Sequence, residues 1–159
     1  MEYTVLFEID SFSLSIIHII LIFISIFFAL YVGYSFKKRK PIIEKVLSII
    51  VFAVFSVVSI YTITTSNIVA MEMSSILKNQ ECFVVEGDVT SFHTPTALGH
   101  DVESFYIDDV YFEYSNSDEV GYSKTKAFGG CINGEGQNLR ISYVSVEGRN
   151  IILRIEEII

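Results

Sequence analysis

Formal charge is missing from two long stretches in the first half of the chain. From Leu14 to Phe36, and again from Val46 to Ala70, the sequence contains no Asp, Glu, Lys or Arg. Each stretch exceeds the roughly 20 apolar residues that are needed to cross the hydrocarbon core of a bilayer. The absence of charge argues against two surface helices of a soluble domain and predicts transmembrane helices over residues 14–36 and 46–70.

Basic residues are scarce in the second half of the chain. Residues 82–159 contain 13 acidic and 5 basic side chains, whereas residues 1–81 contain six of each. An acidic domain repels phosphate backbones, so this charge balance excludes nucleic acid as an expected partner.

The common catalytic motifs are also absent. The sequence contains no G-x-S-x-G elbow, no H-E-x-x-H pair and no P-loop. Asp108 and Asp109 are adjacent carboxylates, but their position between two short strands makes them turn formers first. We therefore expect a non-catalytic protein without a cofactor.

A basic loop between the two spans predicts how the chain crosses the membrane. Residues 37–45 read KKRKPIIEK, with five bases and one acid, and residues 1–13 form an acidic tail without a base. Because basic residues in short loops stay in the cytoplasm, Lys37, Lys38, Arg39 and Lys40 predict a hairpin whose two ends lie outside it. We expect a multi-pass protein of a bacterial inner membrane.

A cleaved signal peptide is the alternative explanation for the first span. Signal peptides begin with a basic stretch and have a shorter apolar core. The acidic leader and the length of the run favour a retained helix. After the second span, residues 71–81 keep helical spacing without Gly or Pro, which predicts a helical stalk.

From residue 82 onward, short alternating patterns replace the long apolar runs. Alternation of this kind indicates half-buried strands, and five are predicted: 83–89, 105–107, 110–114, 139–143 and 151–155. Asp108-Asp109 and the segment 147–150 are short enough to close hairpins. The predicted fold class is α+β, a transmembrane helical hairpin followed by a small five-stranded barrel over residues 82–159, OB-like or SH3-like, because closure removes exposed edges.

The only two cysteines could stabilise so small a domain. Cys82 opens the first predicted strand and Cys131 lies in a Gly-rich connection. On the oxidising side of a membrane, paired cysteines in small domains commonly form a disulfide, which here would be worth roughly 4 kcal/mol. The alternative is two unrelated thiols.

Four potential metal ligands lie close together in the segment 93–103: His93, His100, Asp101 and Glu103. Two imidazoles and a carboxylate could bind zinc or another divalent ion. Their spacing matches no zinc pattern, however, and exposed loops collect such residues. We expect no metal here and keep the four residues as weak candidates.

The second half of the chain resembles a domain of uncharacterised bacterial proteins that are often small and membrane-anchored. The resemblance covers residues 82–157 and is carried by Val85-Glu86-Gly87, Phe92, Gly99-His100, Glu103-Ser104-Phe105, Val110, Phe112, Tyr114-Ser115, Gly129-Gly130, Arg140-Ile141 and Tyr143. It implies no activity. Where the pattern would have an aromatic residue at 82 and proline at 131, this chain has cysteine at both. Two cysteines gained together are what we expect if a disulfide joins these positions. The resemblance also implies a structural role for His100, hydrogen-bonded to a carboxylate or hydroxyl.

These features together predict a membrane-anchored binding or accessory module outside the cytoplasm. Its expected partners are the lipid bilayer and either another envelope protein or a small ligand. An immunity-type inhibitor of a toxin is the alternative, and a metal-dependent hydrolase is the third possibility.

Overall fold

The computed structural model describes residues 2–12, 14–95 and 102–158 of the chain. These residues form two compact units. The helical unit comprises residues 12–68, and the sheet unit combines the described residues of segments 1–11 and 69–159.

Two long helices, α1 (Ile16–Lys37) and α2 (Ile42–Lys78), account for most of the first half. Both are long and apolar enough to cross a membrane, and only a small share of the most apolar 18-residue window of each is buried. At 1.5 Å per residue, α1 is about 33 Å long, close to the thickness of a bilayer core. The prediction of two apolar helices is confirmed, and α2 extends beyond the predicted span at both ends.

Small polar side chains mark where the two helices meet inside the helical unit. Ser25 Oγ lies 3.2 Å from Ser59 Oγ, and His18 Nε2 lies 3.5 Å from Ser66 Oγ. The hydroxyls of Ser25 and Ser59 also donate to carbonyls in their own helices, those of Leu21 and Phe55. Small hydroxyl residues allow close helix approach without leaving polar groups unpaired, as is typical of membrane helices.

The sheet unit contains six strands, one more than predicted. Five lie in the second half: β2 (Phe83–His93), β3 (Glu103–Ile107), β4 (Val110–Tyr114), β5 (Asn138–Val146) and β6 (Arg149–Ile158). The sixth is β1 (Tyr3–Glu8), in the segment predicted to be an acidic tail. All neighbouring strands are antiparallel, in the order β1-β6-β5-β2-β3-β4.

Both predicted hairpins are confirmed, but the second turn is shorter than the predicted link 147–150, because Arg149 and Asn150 belong to β6. Asp108 and Asp109 join β3 to β4, with Ile107 opposite Val110. Glu147 and Gly148 join β5 to β6, and both have positive φ angles, of 52° and 83°. Two central residues in this conformation match the twist of the flanking strands.

The predicted closed barrel is wrong, because the sheet is open. Among the strands that the structure describes, β4 pairs only with β3, while β1 takes the edge of β6. Near the start of β6, Asn150 and Arg149 donate side-chain hydrogen bonds to the carbonyl groups of Tyr111 and Glu113, and the Tyr122 N–H donates to the Ile152 carbonyl. Side chains and a loop therefore protect the β4 edge and the β6 start, where a barrel would have paired two strands.

The apolar side chains form two clusters. The larger covers one sheet face and includes Val89, Phe105, Ile107, Phe112, Tyr114, Leu139, Ile141 and Ile155. The smaller is built by the last turns of α2, where Met73 packs with Val144 and Leu153. The segment predicted as a stalk thus continues α2 to Lys78 and packs against the sheet.

Candidate functional site

The second face of the sheet carries two rows of polar side chains, which we call the charged face. In the first row, Arg140 on β5 lies between Glu86 on β2 and Glu156 on β6. In the second row, Ser142 lies beside Arg154, and Arg154 lies opposite Glu8 of β1. These residues share a face because side chains two positions apart in a strand point the same way.

The contacts of Arg140 are long. Its Nε is 4.0 Å from Glu86 Oε2 and its Nη1 is 3.9 Å from Glu156 Oε2. Both distances exceed those of a hydrogen bond. The guanidinium also lies 5.0 Å from the centre of the Tyr3 ring, whose hydroxyl donates to Glu86. Arg140 is therefore held by charge and by the aromatic ring, while its N–H donors remain free of short partners within the described residues.

Arg154 is only partly satisfied. Its Nη2 lies 2.8 Å from Glu156 Oε1 in an ion pair. Its Nε is buried and has no hydrogen-bond partner among the described residues. Glu8 Oε2 lies 3.5 Å from that nitrogen, a distance that fits an ion pair but does not complete a hydrogen bond. Arg154 thus keeps one orphaned donor in the middle of the charged face.

Ser142 is the most buried polar side chain without a partner on this face. It is 8% exposed, and its hydroxyl makes no hydrogen bond to any residue that the structure describes. The hydroxyl oxygen itself is not fully buried, so a group in the space beside it can bond to it.

These side chains line a cleft of about 520 Å³, which we call the charged cleft. Its lining residues are Glu8, Leu77, Lys78, Gln80, Cys82, Val84, Arg140, Ser142, Arg154 and Glu156. The size falls within the usual range of small-molecule sites. Leu77 and Val84 provide apolar wall, and the remaining lining is mostly polar.

Sequence reasoning missed this cleft. Arg140 and Ser142 stand two residues apart in a predicted strand, which is the pattern of one sheet face, and Glu156 stands two residues after Arg154, just beyond the predicted strand 151–155. That pattern marks a polar face but does not reveal which strands are neighbours. Glu8 joins the site only because β1 pairs with β6.

One of the weak metal candidates, Glu103, has a structural role. It is fully buried. Its carboxylate accepts hydrogen bonds from the Tyr114 hydroxyl and the Lys126 N–H. Burial, followed by the bond to Glu103, raises the pKa of Tyr114 above its ordinary value. The Glu103 carboxylate therefore fixes the loop that leads into the single helical turn at Lys126–Phe128.

The other metal candidates are not assembled with it. His93 is exposed at the end of β2, opposite Ser104. His100 and Asp101 lie outside the described residues. Among residues 2–12, 14–95 and 102–158, no three His, Cys, Asp or Glu side chains form a metal-binding group.

The predicted disulfide between Cys82 and Cys131 is not formed, and both thiols are free. They lie in different apolar clusters, Cys82 near the end of α2 and Cys131 against the main core. The Cys131 N–H donates to the Tyr122 hydroxyl at 2.6 Å. Burial raises the pKa of the Cys131 thiol, so it lacks the thiolate character of a reactive cysteine.

Comparison with known protein families, with curated proteins and with solved structures gives no match for this chain.

Proposed function

We propose that this protein is a membrane-anchored binding module that presents the charged cleft outside the cytoplasm and acts without catalysis. The observation that carries the proposal is the cleft itself. The Arg140 guanidinium and the Ser142 hydroxyl, which make no short hydrogen bond to the described residues, line a ligand-sized space. Their polar groups gain hydrogen bonds when a ligand enters, which gives binding a physical driving force.

The pairing of β1 with β6 supports anchoring by both helices. Strand β1 precedes α1 and β6 follows α2, yet Tyr3 lies opposite Ile158 in one sheet. Strands that share backbone hydrogen bonds lie on one side of a membrane, because an open sheet edge cannot exist within the hydrocarbon. An even number of crossings between them is therefore required, as in a hairpin.

The charge of the connection between the helices supports the orientation. Lys37 ends α1, and Lys38, Arg39 and Lys40 lie between it and α2; by the positive-inside rule these bases favour the cytoplasmic side. Both ends of the chain then lie outside. Another envelope protein or a small ligand is the proposed partner, and the immunity-type inhibitor and the hydrolase gain no specific support from the described residues.

Cysteine labelling in intact bacteria tests the orientation. In a full-length chain with Cys82→Ser and Cys131→Ser, single cysteines are introduced at Ser145, which is exposed on β5, and at Lys38, which is exposed between the helices. We expect a membrane-impermeant maleimide to label S145C in intact cells and K38C only after permeabilisation. The reverse pattern, or equal labelling of both, would refute the proposed orientation.

A further inference from the structure

The charged cleft has a donor set that suits one chemical group. Arg140 and Arg154 line the cleft with planar guanidinium groups, that of Arg140 without a short partner, and Ser142 offers a hydroxyl that bonds to no described residue. Lys78 adds a cation to the lining. Guanidinium groups bind planar carboxylates through paired hydrogen bonds, and a hydroxyl beside them completes such a site.

The carboxylates of the charged face limit the charge of the ligand. Lys78, Arg140 and Arg154 contribute three positive charges to the lining, and Glu8 and Glu156 contribute two negative ones. Glu86, 4.0 Å from Arg140 Nε, adds a third carboxylate beside the cleft, so the local charges balance and favour a ligand of low net charge. A dianionic phosphate would meet repulsion from these glutamates.

The same glutamates favour a donor next to the bound anion. Glu8 lines the same cleft and lies 3.5 Å from Arg154 Nε, so a group bound beside the Arg154 guanidinium also lies beside the Glu8 carboxylate. A nitrogen that carries hydrogen would be attracted there. The ligand therefore combines a carboxylate with a neighbouring amino or amide nitrogen, which is the arrangement at the carboxyl end of an amino acid or peptide.

Resting on the proposed function, we propose that the charged cleft binds a free α-carboxylate, supplied by a peptide C-terminus or an amino acid. The carboxylate contacts Arg140, Arg154 and Ser142. The adjacent nitrogen faces Glu8, and a small apolar side chain packs against Leu77 and Val84, which line the same cleft.

The test uses the full-length, ¹⁵N-labelled protein in detergent micelles and tri-alanine as the probe. We expect saturable shifts of the arginine Nε–H resonances at millimolar concentration. Tri-alanine amide, which lacks the carboxylate, is expected to bind about tenfold more weakly or worse, because a hydrogen bond to a charged group is worth about 1.5–3 kcal/mol. Free alanine distinguishes the source, since equal binding assigns the site to amino acids and weaker binding to peptides.

Two variants separate the cleft from the rest of the face. Ser142→Ala and Arg140→Gln are each expected to weaken tri-alanine binding about tenfold. Ser145→Ala removes an exposed serine from the same strand outside the cleft and is expected to leave binding unchanged. Near-ultraviolet circular dichroism shows whether each variant is folded, and the Ser142→Ala result decides the proposal if Arg140→Gln does not fold.

Three results would overturn the proposal: equal binding of the acid and the amide, unchanged binding by Ser142→Ala, or tighter binding of inorganic phosphate than of tri-alanine. A complete lack of tri-alanine binding at millimolar concentration would do the same. None of these outcomes depends on membrane orientation. Cysteine labelling can therefore reject the proposed location without affecting the proposed ligand, and the binding experiments can reject the ligand without affecting the location.

Discussion

Removing one buried hydroxyl, by Tyr114→Phe, is expected to destabilise the sheet unit strongly. The Tyr114 hydroxyl donates to the Glu103 carboxylate. Tyr114 is 2% exposed and Glu103 is fully buried, so water cannot replace the lost donor. Phenylalanine keeps the ring, which packs edge-on against Phe105 and Tyr122. The variant therefore isolates the hydrogen bond from the packing.

The expected cost is about 2 kcal/mol. Hydrogen bonds to charged groups contribute about 1.5–3 kcal/mol, and a buried carboxylate that loses a partner sits at the upper part of that range. The Lys126 N–H still contacts both carboxylate oxygens of Glu103, which keeps the cost below that of a fully unpaired charge. Glu103→Gln retains the acceptor for Lys126, so it is expected to cost less than Glu103→Ala.

Tyr111→Phe is the matched control. Tyr111 is 39% exposed, and its hydroxyl donates to Glu113 at the surface. Water replaces that bond, so we expect a change within about 0.5 kcal/mol.

The assay is urea unfolding of the full-length protein in detergent, followed by the near-ultraviolet circular dichroism of its tyrosines. A loss of 2 kcal/mol lowers the midpoint by about 1–2 M urea for a domain of this size. Equal midpoints for Tyr114→Phe and Tyr111→Phe would refute the role assigned to the buried carboxylate. The double variant Tyr114→Phe/Glu103→Gln is expected to cost less than the sum of the single changes, because the two groups interact directly.

Three further predictions concern other parts of the chain. Gly130→Ala places a Cβ 2.2 Å from the Lys124 carbonyl oxygen and is expected to cost more than 2 kcal/mol in the same urea assay, whereas Gly129→Ala meets no atom within 4 Å and costs about 1 kcal/mol for its φ of 79°. With the native cysteines replaced by serine, Ser25→Cys/Ser59→Cys is expected to form an intramolecular disulfide on oxidation, detected by mass spectrometry after proteolysis, and failure to cross-link would contradict the 3.2 Å approach of the two hydroxyls. Burial raises the pKa of Tyr122, so the native state keeps a proton that the unfolded chain releases above about pH 10. The contribution of Tyr122 to the free energy of unfolding is therefore constant below that pH and decreases above it. Urea unfolding at several pH values is expected to show a less steep loss of stability above pH 10 in Tyr122→Phe.

Local features of the sequence were sufficient to predict the two helices and the two hairpins. A run of 23 residues without charge, from Leu14 to Phe36, has no stable place in water, so its helical character follows from the solvent alone. Asp108-Asp109 and Glu147-Gly148 reverse the chain within two residues, and their strand partners are immediate neighbours. These predictions needed no knowledge of distant parts of the chain.

The number of strands and the closure of the sheet depended on distant pairing. Tyr3–Glu8 is short, and its partner β6 lies about 150 positions later in the chain. An alternating pattern states that a strand has two faces but not which edge it will join. The barrel prediction failed for that reason, since β1 took the edge that closure would have required.

The predicted disulfide failed for a related reason. Bridging needs two cysteines whose Cα atoms approach within about 7 Å, and sequence cannot supply that distance. Tertiary structure places Cys82 by α2 and Cys131 beside Tyr122.

The sequence by itself therefore determined the two apolar helices, the acidic β-rich half and the local turns, because each depends on the solvent or on adjacent residues. Only the tertiary structure decided the site. Arg140, Ser142, Arg154 and Glu8 come from three strands, and they meet because strand register places them on one face. Register is a property of the assembled sheet, which is why neither the charged cleft nor its unpaired donors could be read from the order of the residues.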